Sequence, residues 1–283
     1  MYEIRLPAEP LREHIENYWF VSAPPEAPVD LRVDVFVDAR ADLIFNFGAP
    51  YVRAEIGGRS RRMSRSNLDA QRLVPIRIAQ RGAVRTSGVR FRLGGVGPFT
   101  RKSLADFTGR TPGPSVVFGS GATILERELA ATADLDAQAS LLDRFFLGAR
   151  IDDEALGPFH VAARAAVAED GAVSVERMAE MARTTVRQLQ RSFVRFLGIP
   201  PRTLTRVLRF QKAMRMLMRD PEGTLADVAS DAGYFDQAHF VREFRRMTGG
   251  VPRGYRGYFP ENGPSDFAPN VVVFVQDRPR RRL

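Results

Sequence analysis

The sequence predicts an α+β multidomain chain, a β-rich, barrel-like N-terminal domain followed by an all-α domain of seven helices with two helix-turn-helix units. Three observations predict this. Up to about residue 120, apolar residues come in short runs rich in β-branched and aromatic side chains, cut by Gly, Pro and Asp. From Phe159 to Met247 they recur at three- and four-residue spacing, the signature of amphipathic helices. Within that helical stretch, one segment occurs twice.

Over residues 1–120, VDVFVDARADLIFNFG, LVPIRIA and VRFRL read as strands of a barrel or sandwich, the candidate signal-sensing domain. Within 121–156, ILERELA and QASLLDRFFLGA read as two amphipathic helices, a linker whose apolar stripes suggest dimerisation. Gly157 and Pro158 mark the start of the helical domain, 157–257, with breaks expected at AEDGAVS, around Arg183, and at LGIPP, RDPEG and GYFD. In the extension, 258–283, NVVVFVQD alternates like one more strand that must pair with something, and the N-terminal sheet is the expected partner. RPRRRL ends the chain with a basic tail.

Composition narrows the function. Cysteine is absent and only His14, His160 and His239 occur, which removes most ligands for zinc and all thiol chemistry. No metal or other cofactor is expected. No run of about 18 apolar residues exists to span a bilayer, and the N-terminus lacks a signal-peptide core, so a cytoplasmic protein without a membrane partner is expected. The net charge of +9 is concentrated: Gly157 to Gly257 holds 17 basic against 10 acidic residues. Such a segment fits a polyanion, because each neutralised phosphate releases counterions. LGGVG at Leu93 to Gly97 lacks the Lys and Ser/Thr of a phosphate loop and reads as a turn. His14, Tyr18 and Trp19 read as core and His160 as structural; no nucleophile–base arrangement points to an enzyme.

In the repeat, Val175, Met178, Ala179 and Ala182 match Leu225, Val228, Ala229 and Ala232 at an offset of 50. After one inserted residue, Leu189, Arg191, Phe193 and Gly198 match Phe240, Arg242, Phe244 and Gly249 at an offset of 51. Each copy predicts a short helix, a tight turn and a longer helix. Ser174 and Thr224 suit N-caps, and Thr224 with Asp227 approximates a capping box. Gly233 suits a left-handed turn, whereas its counterpart is Arg183.

In the first long helix, Val186, Leu189, Phe193 and Phe196 should face the core and leave Arg187, Gln190, Arg191 and Arg195 on other faces. In the second, Phe240 and Phe244 should pack, leaving Gln237, His239, Arg242 and Arg246 available. Arg and Gln suit bidentate hydrogen bonds to guanine and adenine edges. Between the copies, Pro201 to Arg219 predicts one helix of roughly 28 Å, approaching the roughly 34 Å between successive major-groove faces. Leu204, Val207, Leu208, Met214 and Met218 form its apolar stripe, nearly opposite Arg202, Arg206 and Arg209.

RTTVRQLQRSFVRFLGIPP, the connector, ADVASDAGYFDQAHFVREFRR and VPRGYR stand in the order and spacing of the AraC/XylS family of bacterial regulators, which the chain resembles over Phe159 to Gly257. EHIENYWF followed by a strand-rich segment with DLIFNFG resembles that family's effector domains. The resemblance implies a sequence-specific DNA-binding transcription factor. Arg187, Gln190 and Arg191 would read bases in the first unit, and Gln237, His239 and Arg242 in the second. Thr184, Thr185, Asp236 and Arg246 would be turn, cap or phosphate-facing positions, with Arg195, Arg202 and Arg206 as further phosphate contacts. Double-stranded DNA is the expected partner, with RNA polymerase, a small-molecule effector and a homodimer as further expectations. A non-specific architectural DNA binder, and an enzyme with a catalytic barrel-like domain, are the alternatives.

Overall fold

The computed structural model describes residues 2–26, 29–55, 58–63, 66–151, 153–220, 222–255 and 273–274. Its N-terminal half consists of two five-stranded antiparallel sheets that do not close on each other. The first has the order β1 (Tyr2–Arg5), β2 (Ile15–Ala23), β9 (Val84–Phe91), β4 (Asp42–Asn46), β7 (Asn67–Asp69). The second has the order β10 (Val273–Phe274), β3 (Val29–Val35), β8 (Ile76–Gly82), β5 (Tyr51–Glu55), β6 (Ser60–Met63). The expected pairing of the C-terminal strand with the N-terminal half is present over two residues, Val273 opposite Asp34 and Phe274 opposite Val33. The basic tail RPRRRL lies outside the described residues.

Alternation along the strands gives the first sheet two unlike faces. Leu43, Phe45, Leu68, Val89 and Phe91 belong to one buried apolar cluster with Leu125, Leu129, Leu142 and Phe146. The last four come from α2 (Gly121–Ala131) and α3 (Leu135–Ala149), which follow the short α1 (Pro114–Phe118). The stripe that suggested dimerisation is therefore buried on this sheet, with Ile124 and Leu147 exposed outside it. The opposite alternation carries the polar residues Asp42, Asn67, Asp69, Thr86 and Arg90 beside the apolar Ile44 and Val84. Trp19 stands opposite Gly88, where a Cβ would lie 2.0 Å from the indole, so only glycine fits there.

The helical half comprises α4 (Leu156–Ala168), α5 (Val175–Met181), α6 (Val186–Leu197), α7 (Pro201–Arg219), α8 (Leu225–Asp231) and α9 (Gln237–Thr248). A 3-10 turn over Pro252–Tyr255 is the seventh helical element among the described residues. Gly157 and Pro158 fall in the first turn of α4, where a proline leaves no helix bond unmade. Leu204, Val207, Leu208, Met214 and Met218 of α7 are buried in one cluster that reaches both helix pairs. Phe36, Val37 and Ala39 enter the same cluster, and Phe36 meets Tyr255 edge-on at 5.5 Å.

Candidate nucleic-acid interface

The two helix pairs are built alike. In α5 and α8, Ser174 and Thr224 accept the N–H of Arg177 and Asp227 as N-caps. The Thr224 hydroxyl also donates to the Asp227 carboxylate at 2.6 Å, so this carboxylate meets the cap's side chain and not its backbone N–H. Buried Ala179 and Ala229 let the following helix approach. Arg183 and Gly233 both adopt positive φ, 49° and 79°. Thr184 N–H then donates to Ala179 O and Tyr234 N–H to Ala229 O, the same bond fifty residues apart. Arg183 therefore takes the conformation that Gly233 takes freely.

The longer helices begin at Thr185 and Asp236. Thr185 Oγ1 accepts from Gln188 N–H while Gln188 Oε1 accepts from Thr185 N–H, a complete capping box that T-x-x-Q would have revealed. Gln188 also receives the Thr184 hydroxyl at 3.1 Å. Asp236 accepts the His239 N–H at 2.5 Å. Both helices end on a left-handed glycine, Gly198 and Gly249.

Leu189, Phe193 and Phe196 of α6, and Phe240 and Phe244 of α9, face inward. Arg187, Gln190 and Arg191 are exposed and, among the described residues, have no hydrogen-bond or ion-pair partner. With Ser103, Glu154 and Arg195 they line an open groove of ≈ 850 Å³. On α9, Gln237 and Arg242 are likewise exposed and unpartnered among the described residues. His239 is half-buried and meets Tyr234 edge-on at 5.4 Å. The pairs present different chemistry, because Gln237, His239 and Arg242 stand where α6 has Val186, Gln188 and Arg191.

The expected phosphate contacts divide. Arg202 is exposed in the first turn of α7, and Arg246 is exposed with Glu243 4.0 Å away. Arg206 lies between α7 and α9, where its Nε and Nη2 donate to both Glu243 oxygens at 2.7–2.9 Å. Arg195 pairs with Asp153 and lies 4.8 Å from the Phe196 ring centroid. Arg209 donates to Gly233 O at 3.2 Å and stands over the Tyr234 ring, tying the connector to the second turn. Of the basic face predicted for the connector, Arg202 is exposed, while Arg206 and Arg209 make these contacts within the domain.

The seam between the halves touches this surface. A Cβ on Gly94 would meet Phe159 at 2.2 Å, and one on Gly97 would meet Phe196 at 3.0 Å, so LGGVG is a turn on which α4 and α6 rest. The Thr108 hydroxyl donates to Gly198 O at the end of α6 at 2.8 Å. His14 and His160 face each other across the seam with ring centroids 5.4 Å apart. Burial holds both below the ordinary histidine range, His14 at about 4.

Residues 178–258 match the family described as a helix-turn-helix domain, and residues 3–112 match a domain of unknown function, DUF6597. The chain is similar to solved structures of ToxT from Vibrio cholerae, at 10% identity and a TM-score of 0.43, covering 83% of this chain and 97% of that one. It is also similar to an AraC-type regulator from Chromobacterium violaceum, at 22% identity and a TM-score of 0.35, covering 38% of this chain and 95% of that one. No helix among the described residues is long and apolar enough to cross a membrane.

Proposed function

We propose that this chain, whose residues 178–258 form a helix-turn-helix domain, is a DNA-binding transcriptional regulator of the AraC/XylS type, and that it reads DNA and is controlled as follows. Arg187, Gln190 and Arg191 read bases in one major-groove segment, and Gln237, His239 and Arg242 in the next. One observation carries this: two matched helices each bury their aromatic face and expose Arg and Gln side chains that have no intramolecular partner among the described residues. Because the two sets differ, the operator consists of two unlike elements and not a palindrome.

Selection of bound sites from a random duplex pool tests the reading. Two conserved, dissimilar elements about one helical turn apart are expected. Recovery of no consensus would return the protein to non-specific binding. Affinity for the selected site should fall steeply with salt, as phosphate contact requires.

We further read the N-terminal half as the receiver of a small-molecule signal. Asp38, Asp69, Arg53, Arg72 and Arg90 are buried there in mutual ion pairs. Buried ion pairs contribute little net stability, yet among the described residues the Nε atoms of all three arginines and Oε1 of Gln71 have no hydrogen-bond partner. That arrangement favours ligand recognition over packing as the reason for the charges. The seam against α4 and α6 offers a path from this interior to the first reading helix, provided the signal favours one domain arrangement. A low-molecular-weight cell fraction should change operator affinity in the wild type and not in Arg72→Met; no response in the wild type overturns the sensor reading. RNA polymerase is the partner acted upon, in our reading, and a homodimer would form through the outer faces of α2 and α3. Sedimentation on operator DNA tests that assembly, and a single copy per operator rules it out.

A further inference from the structure

The two helix pairs differ in the length of their turn. Up to Thr184 and Tyr234 they register at an offset of fifty residues, shown by the matching bonds to Ala179 O and Ala229 O. At the N-caps, Thr185 and Asp236, the offset is fifty-one. The added residue is Phe235. Its neighbour Tyr234 turns inward, 8% exposed, against His239 and beneath Arg209. Phe235 is 92% exposed, more than any other large apolar side chain among the described residues; Leu6 follows at 66%.

A solitary exposed apolar side chain is ordinary on a protein surface. The position of this one is not, because it immediately precedes the N-cap of the helix that carries Gln237, His239 and Arg242. In helix-turn-helix proteins the N-terminal end of the second helix meets the base edges. The major groove offers a phenyl ring one apolar feature, the C5-methyl of thymine. Tyr234 is anchored by its own packing against His239 and Phe240, while Phe235 beside it is exposed to solvent.

We propose that Phe235 reads thymine: its ring packs on the C5-methyl group in the segment bound by the second unit, a specificity contact absent from the first unit, where Thr185 follows Thr184 directly. This rests on the DNA-reading function above and adds a residue and a base to it.

The test uses the full chain and its selected operator, with each thymine replaced in turn by deoxyuridine, which lacks only the methyl. For the wild type, one replacement in the second element should weaken binding about fourfold, the worth of one buried methyl group. Phe235→Ala should bind the thymine operator roughly tenfold more weakly, as loss of a covered ring implies, and should be indifferent to the replacement. Phe235→Leu should keep part of the discrimination. The slope of log affinity against log salt should be the same in all three, because a ring releases no counterions. An unchanged melting temperature in Phe235→Ala shows that the fold survives. If Phe235→Ala binds like the wild type, or if every thymine can be replaced without effect, the proposal is overturned while DNA reading stands. If the wild type selects no site at all, the DNA-reading function itself fails.

Discussion

Arg191 and Arg242 occupy the same turn of their helices, as do Arg195 and Arg246, while Arg187 and Gln190 on α6 answer to Ala238 and Val241 on α9. Replacing Arg187 or Arg242 with Ala should cost about 1–3 kcal/mol at the selected operator, read by fluorescence anisotropy, and much less on random duplex. An equal loss on both would make the residue a phosphate contact. Arg206 makes the opposite prediction. Its partner Glu243 is largely shielded, so Arg206→Ala should lower stability by about 1–2 kcal/mol in denaturant titrations, less than a fully buried pair because the guanidinium is partly exposed. The salt slope of DNA binding should stay where it was, and a slope reduced by about one would restore Arg206 to the phosphate contacts.

At the scale of the element, the turns show what backbone geometry demands. Arg183 sits at φ 49° where its counterpart is Gly233 at 79°. A non-glycine residue in the left-handed region is strained by roughly 1 kcal/mol, so Arg183→Gly should stabilise the fold by up to that amount, less the added chain entropy. A lower melting temperature would mean that the Arg183 side chain contributes more than its backbone costs. Thr185→Ala removes the capping box of α6 and should cost about 1 kcal/mol, seen as earlier thermal unfolding. Most of this architecture was legible: helix breaks, caps and buried faces follow from local residue types. The capping box was legible too, since Thr185 and Gln188 stand at its spacing. The pairing of Arg206 with Glu243 was not, because the partners are far apart in the chain and only the crossing of α7 and α9 brings them together.

Over the whole molecule, the seam is the feature that pH should reveal. His14 is held to about 4 by burial first, then by His160 and Arg150 against the opposing pull of Glu13. His160 is lowered by burial, with Arg164 adding to the shift and Glu13 resisting it. In the unfolded chain both titrate near 6.5. Between 6.5 and about 4 the unfolded chain therefore binds more protons. Stability should be intact above that window and fall as pH drops through it, by up to about 3 kcal/mol from His14. Denaturation midpoints measured from pH 7 to pH 4 check this, with His14→Phe flattening the decline. A wild-type profile with no decline would mean that the rings are solvated and the seam open.

The amino-acid order alone determined the duplicated helix pairs, the spacer between them, the strand-rich first half and the basic bias of the helical domain, because each rests on residues near one another in the chain. The tertiary structure decided which basic side chains remain free for a partner and which are neutralised inside. It also decided that ion-paired charges are buried in the first half beside its apolar core, and that α6 leans on Gly97 and Thr108. The reason is physical: a side chain's availability depends on which distant groups surround it, and that is set only when the elements pack.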